Sequence, residues 1–402
     1  MALNAEIPYG AYWSTPFARW QGSLAHLHAL QFGAHVAKAE LARRDIPLDA
    51  IDHGVLGMTV IQRQVFWGLP WLTALLGNDA VTGPTINQAC ATGARVLLSA
   101  AQELDSGMAT TSLAVTADRT SNGPHVYYPA PGGPGGTGAH EDWVLDNFGH
   151  DPYAKNAMVE TAERVAAKYQ ITTEEQHDVV LRRYAQYQDA LADDAAFQRR
   201  YMTLPFEVPD ARFRNTQATL AGDEGIVVTD ADKLAALKPV LPEGTVTFGG
   251  QTHPADGTAA IVVTTPDKAA ALSRDPSIRI RLKGFGQSRT EKGHMPQAPV
   301  EAARRALAHA GIGIDAVDVV KSHNPFAVND IVFARETGFP LEKMNNYGCS
   351  LIFGHPQGPT GMRLIIELIE ELALRGGGIG LFHGCAAGDS AMATVIEVSD
   401  AG

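Results

Sequence analysis

The tetrapeptide Thr-Gly-Ala-Arg at 92–95 returns as Thr-Gly-Met-Arg at 360–363, and the surroundings of the two copies agree as well. Each copy opens a helical pattern after a tight turn. Each then leads into a strand pattern, SLAVTADR in the first and GIGLFHGC in the second. A repeat on this scale confines the chain to two related α/β halves. The other segments alternate in the same way. Apolar spacing predicts helices over 23–44, 299–311 and 326–337, with strands at 53–60, 112–121, 258–265, 277–288 and 317–323. A further strand is expected at TVTFGG, 245–250. The first half therefore reads as 1–120 with 248–272, and the second as 273–402. Residues 121–247 read as an insertion. Its run 131–138 holds seven Gly or Pro, 153–200 is helical, and 201–247 is irregular. Thr172 or Thr173 should cap one of its helices, with Glu174 and Glu175 in the first turn.

The first copy contains Cys90, in TINQACATGARVLLSAAQEL (85–104). There the run GPTIN meets a Cys-Ala-Thr-Gly turn, and a helix begins with Ala94, Leu97, Leu98, Ala101 and Leu104 on one face. A cysteine at such an elbow sits beside the unpaired N–H groups and the positive end of the helix. That position lowers a thiol pKa, and the thiolate is the nucleophile. Taken alone, Cys90 reads equally as a small buried hydrophobe.

Composition excludes several classes. A net charge of −12 argues against nucleic acid or an anionic membrane as the main partner. Three cysteines without zinc-type spacing point to a reducing compartment and argue against a disulfide framework. The start MALNAEIPYGAYW lacks the basic and apolar regions of a signal peptide, and no run is long and apolar enough to span a bilayer. The expected location is the cytoplasm. No C-x-x-C or H-x-x-x-H spacing occurs, so no metal site is expected.

The second copy follows GHPQGPTG (354–361), which places His355 at the mouth of its elbow. A histidine there can take a proton from a nearby thiol, or simply hydrogen-bond the turn backbone. Cys385, in FHGCAAGDSAMATVIE, ends a strand and enters another turn. A second cysteine near a first allows one to act as nucleophile and the other as general acid/base. As lone features, Cys385 and Cys349 read as packing residues. SHNPFA (322–327) sets His323 and Asn324 at the carboxyl edge of a strand, where α/β sheets place ligands, or in a turn role.

With these stretches assembled, the chain resembles a thiolase. Asn87-Gln88-Ala89-Cys90-Ala91-Thr92-Gly93 is similar to the family's nucleophile elbow, and 354–361 matches its GHP-x-G-x-(S/T)-G motif. Cys385-Ala386-Ala387 falls at its C-x-G segment, and His323-Asn324-Pro325-Phe326 at its N-E-A-F block. Weaker agreement over TAERVAAKYQITTEEQHD, GTVTFGG, DGTAA and ALAHAGIGIDAVD carries the resemblance along nearly the whole chain.

The resemblance implies a layered α-β-α-β-α core with an inserted loop domain. It also implies cleavage of a 3-oxoacyl-CoA by CoA, or the reverse Claisen condensation. Cys90 would form the acyl-enzyme, His355 would deprotonate it, and Cys385 would exchange protons with CoA or the donor α-carbon. His355 and the block at His323 and Asn324 would make one oxyanion hole, and the N–H groups of Cys90 and Ala387 the other. CoA would be a co-substrate, with no tightly bound cofactor. Its nucleotide would lie on 121–247, near Arg212, Arg214, Lys233 and Lys238, each of which reads otherwise as a solvated surface residue. Thr252 matches a family serine beside the pantetheine arm.

Some residues depart from the pattern. His323 and Asn324 replace the asparagine and glutamate of the N-E-A-F block, and Ala386-Ala387 replaces a glycine-rich sequel. The run 131–138 differs from the longer loop of tetrameric thiolases, so a homodimer is expected. Phe66, Trp67 and Trp71 read as interface or core packing, or as the wall of a pocket for a bulky or aryl acyl group. On the latter reading the substrate is an aryl-substituted 3-oxoacyl-CoA such as an aroylsuccinyl-CoA. Some thiolases of that kind work with a small zinc-finger/OB-fold subunit. Two other functions stay open: a thiolase-fold condensing enzyme or synthase, which Cys385 argues against, and a non-catalytic acyl-CoA- or lipid-binding relative.

Overall fold

A computed structural model describes residues 3–400. The first half contributes β1 (Tyr12–Ser14), β2 (Ala18–Arg19), β3 (His53–Gly57), β4 (Thr85–Ile86) and β5 (Thr111–Arg119). Two hairpins follow, β6 (His125–Tyr128) with β7 (Ala139–Asp142) and β8 (Phe206–Pro209) with β9 (Thr216–Leu220). Next comes β10 (Ala255–Thr264), and then β11 (Ile278–Arg289), β12 (Val319–His323), β13 (Gly378–Ala386) and β14 (Ser390–Asp400).

The repeat legible in TGAR and TGMR extends to the sheets. One runs β1-β10-β5-β3-β4, with β2 beside β10; the other runs β11-β14-β13-β12. In the first, β10 is antiparallel to β1 and β5, while β5 is parallel to β3. In the second, β14 is antiparallel to β11 and β13, while β13 is parallel to β12. The same senses recur in the same order. All ten residues of β10 are buried, which is why it reads as a run of small and apolar residues rather than an alternation.

Between the sheets lie two central helices, Thr92–Asp105 and Gly358–Leu374. Outer helices Ala29–Arg43 and Ala298–Ala310 cover the other faces, completing five layers. The glycines of the repeated motif explain themselves at the crossing. A Cβ on Gly93 would come within 2.5 Å of the Met362 nitrogen and 2.7 Å of the Gly358 oxygen. Only glycine allows that approach.

The second central helix is buried on every side except at its last two residues, charged groups included. Those charges are paired. Arg363 binds Asp223 through two nitrogens, at 2.6 and 2.8 Å, and Glu367 at 3.0 Å. Glu370 accepts from the Tyr12 hydroxyl at 2.7 Å and from Arg200 at 2.6 Å. Buried charge survives only when satisfied in this way.

Two expectations need correction. The helix predicted from residue 23 starts at Ala29, because 22–28 is held in turns: Gly22 N–H bonds the Arg19 oxygen and Ser23 N–H the Glu224 carboxylate. TVTFGG forms no strand. The Glu163 carboxylate takes the N–H groups of Thr245 and Val246 at 2.9 and 2.8 Å, so they cannot join a ladder, and Phe248–Gly250 turns as a 3₁₀ segment. The expected Thr172 cap is present, accepting from Glu175 N–H ahead of the helix Thr173–Ala195. No helix among the described residues is long and apolar enough to cross a membrane.

Candidate active site

Cys90 stands on the turn between β4 and the first central helix. The turn is built locally. Asn87 Oδ1 accepts the Ala89 N–H at 2.9 Å, and Thr92 Oγ1 accepts from Gln88 N–H at 2.9 Å while donating to the Ala89 carbonyl at 2.6 Å. Ala89 itself has φ of +46°, a left-handed kink that turns the next side chain into a cavity. The thiol is not lowered as its helix position suggested. Burial pushes it up from 9.0 to about 12, against the opposing pull of the Ala387 and Cys90 N–H groups.

Two histidines face this sulfur. His323 ends β12, and the His355 backbone is pinned at the start of β10, its N–H bonding the His253 carbonyl at 2.8 Å. Cys90 Sγ and one ring nitrogen from each of His323 and His355 lie within 4.8 Å of one another. The imidazoles stack with centroids 4.0 Å apart. Each Nδ1 is fixed by a hydroxyl, that of Ser350 at 2.9 Å for His323 and that of Thr360 at 2.6 Å for His355. Each Nε2 is buried without a partner. Burial drops His355 to about 3 and takes His323 well below its ordinary value, with the neighbouring histidines adding to the effect on His323. Both rings are therefore neutral near pH 7. They can accept a proton or donate an N–H, according to tautomer.

Cys385, at the end of β13, is fully buried, and Asn329 Nδ2 donates to its sulfur at 3.3 Å. Burial raises this thiol, and the nearby Cys90 raises it further. Ala387, in the following turn, lines the cavity and aims its N–H at Cys90. Asn324 points away from the sulfur. Its Nδ2 donates to Asp330 at 2.8 Å and to Cys349 at 3.2 Å, while its Oδ1 accepts from Ser350 and Leu351. It braces the serine that holds His323.

Three supporting residues escaped the sequence reading. Gln357 places Oε1 3.3 Å from Cys90 Sγ. Asn329 looks in sequence like one more early helix residue. Asp118, buried and raised by desolvation to about 7, accepts the N–H groups of Thr59, Val60 and Gly358 and so joins β5 to the second elbow. The hydroxyl of Thr360 had a signal, since it is the Ser/Thr position of the histidine motif.

The cavity over Cys90 has a volume of about 760 Å³. Trp143, Phe148, Tyr153, Met158, Met295 and Phe326 give it a mostly apolar wall. Thr252 also lines it, with its hydroxyl turned to the Ser350 carbonyl. Arg212, Arg214 and Lys233 are not among the lining residues. The first two are exposed in the turn that Asp210 ties together, and Lys233 pairs with Asp230 at 2.9 Å. Phe66, Trp67 and Trp71 do not form the wall of this cavity either. Phe66 is 90% exposed, and the two tryptophans border a separate shallow depression, because the 3₁₀ turn Val65–Trp67 faces outward.

Comparison with known proteins places the chain in a family. Residues 11–267 match the family description "Thiolase, N-terminal domain", and 277–398 match "Thiolase, C-terminal domain". The chain is 31% identical to acetyl-CoA acetyltransferase 2 of Arabidopsis thaliana over 392 residues, 96% of this chain and 95% of that one. It is 31% identical to the acetyl-CoA acetyltransferase of Chromobacterium violaceum over 409 residues, 98% and 99% of the two chains. Human mitochondrial 3-ketoacyl-CoA thiolase, solved in complex with CoA, superposes with a TM-score of 0.88 at 26% identity, covering 99% of both chains. The Bacillus anthracis acetyl-CoA acetyltransferase gives the same TM-score, identity and coverage. Carrying the thiolase fold from end to end, this chain belongs to the thiolase family and is an acyltransferase.

Proposed function

We propose that the chain cleaves a 3-oxoacyl-CoA with free CoA, or runs the reverse Claisen condensation, through an acyl-Cys90 intermediate. The observation that carries this is the convergence of Cys90 Sγ, His323 and His355 within 4.8 Å, with both Nε2 atoms unpaired. His355 takes the Cys90 proton as sulfur attacks the 3-oxo carbon. The Cys90 and Ala387 N–H groups hold the tetrahedral oxyanion. Breaking the C2–C3 bond leaves an enolate thioester whose oxygen accepts from His355 and His323, and Cys385 protonates C2. Cys385 then recovers a proton from incoming CoA, whose sulfur takes the acyl group. His355 returns its proton to Cys90. Every proton is accounted for within these three groups.

The apolar, aromatic-rich wall supports a bulky or aryl-substituted acyl group, an aroylsuccinyl-CoA being one candidate. The segment 121–247 is proposed to carry the CoA nucleotide, with Thr252 beside the pantetheine arm and Arg212, Arg214 and Lys233 toward the phosphates. The exposed Phe66 and Trp67 suit a homodimer contact. Three unpaired cysteines suit a reducing cytoplasm. Purified protein should be offered short, long and aryl-substituted 3-oxoacyl-CoAs with free CoA, and product thioesters separated by chromatography. Turnover of one class supports the proposal and requires no accessory subunit. Turnover of none, by the chain alone or with lysate of its source, contradicts it.

A further inference from the structure

The thiol of Cys90 has two acceptors within reach, and it is not bonded to the general base. Its hydrogen bond goes to Gln357 Oε1 at 3.3 Å, while His355 Nε2 is left without a partner. Gln357 is 5% exposed and lines the cavity together with His355. Its backbone is held at φ +61°, ψ −107°, a region that disfavours any residue except glycine. The strain persists because the next residue is anchored, Gly358 N–H bonding Asp118 at 3.0 Å. A strained turn thus delivers a polar side chain to the nucleophile in a cavity with a mostly apolar wall.

We infer that Gln357 is a positioning residue that holds the Cys90 thiol protonated, so that transfer of its proton to His355 waits until substrate displaces the amide. The negative end of the amide dipole faces sulfur. It favours S–H and opposes S⁻. A substrate carbonyl entering beside Cys90 competes for that space, and the freed proton then finds the unpaired Nε2 of His355. The inference takes Cys90 as the nucleophile from the proposed function. Its test does not depend on turnover.

The test is the pH dependence of Cys90 alkylation by iodoacetamide, followed by peptide mass in wild type, Gln357→Met and Gln357→Glu. In that reaction the sulfur–carbon bond forms, iodide leaves, and the thiol proton passes to the buffer. Met keeps the volume and removes the carbonyl. It should lower the midpoint by about one pH unit and speed alkylation several-fold at neutral pH. Glu keeps the shape and adds charge, and should raise the midpoint. A Met profile that is unchanged or moved upward overturns the inference, as does a Glu profile identical to wild type. If Cys90→Ala retains turnover while these shifts appear, the nucleophile assignment fails and the contact between Gln357 and the thiol stands.

Discussion

Replacing His383 with Phe should make the protein less sensitive to acid. His383 lies on β13, fully buried, with its ring stacked on Phe333 at 3.8 Å and 18°, and neither ring nitrogen has a hydrogen-bond partner. Burial lowers it from 6.5 to about 4, with Asp330 pulling the other way. Between those two values the unfolded chain binds a proton at this position that the folded protein does not. The unfolded state is therefore favoured as pH falls, and stability rises with pH across the window. Each pH unit is worth about 1.36 kcal/mol for one such group. From pH 7 to pH 5 only the 1.5 units below 6.5 count, so His383 alone costs about 2 kcal/mol. Phe keeps the stack and cannot titrate. Urea denaturation at both pH values should show wild type losing about 2 kcal/mol more than the variant, at equal m-values. Equal losses would refute the reasoning and mean that water or an unseen partner keeps His383 protonatable in the folded state.

Other expectations follow from particular contacts. His323→Phe keeps the stack on His355 and removes the Nε2 that the proposed mechanism turns to the enolate oxygen. Loss of one oxyanion donor costs about 2.7–4 kcal/mol, so kcat should fall about 100- to 1,000-fold with KM little changed, as steady-state kinetics would show. Cys385→Ser should slow the proton-transfer step yet still permit acylation of Cys90, read as a burst of adduct without turnover. Arg363→Met strips buried Asp223 of this cation and leaves Glu367 with the Lys321 ammonium at 3.4 Å, and should destabilise the fold by about 3–5 kcal/mol in urea titrations. A loss below 1 kcal/mol would mean that the buried carboxylates find other partners.

Much of the architecture was legible because its signals are local or repeated. The TGAR and TGMR echo marks two helices whose glycines touch at their crossing, and the strand at 258–265 is a buried run whose composition admits little else. Cys90, His323, His355 and Cys385 could be singled out as candidates because each stands at or near the end of a strand or helix, where ligands gather. What stayed hidden depends on partners far away in sequence. The strand pattern of TVTFGG yields to the Glu163 carboxylate, which takes its N–H groups from a helix about eighty residues earlier. Gln357 occupies a variable place in its motif, and only the fold brings it to Cys90. The rise of the Cys90 thiol reverses the expectation from its helix end, because the helix field is local while burial is set by the whole cavity. Phe66 and Trp67 are large and apolar, which does not reveal whether they turn inward or outward.

The central claim is an acyl group on Cys90. The Cys385→Ser variant, incubated with 3-oxoacyl-CoAs of several classes and no free CoA, should trap it. Intact mass would show a single acyl increment, and peptide mapping would place it on residues around Cys90. An increment on Cys90 from one substrate class is the predicted result and would identify the acyl group as well. Substrate cleavage without any adduct, an adduct on another residue, or an adduct that survives in Cys90→Ala would contradict it.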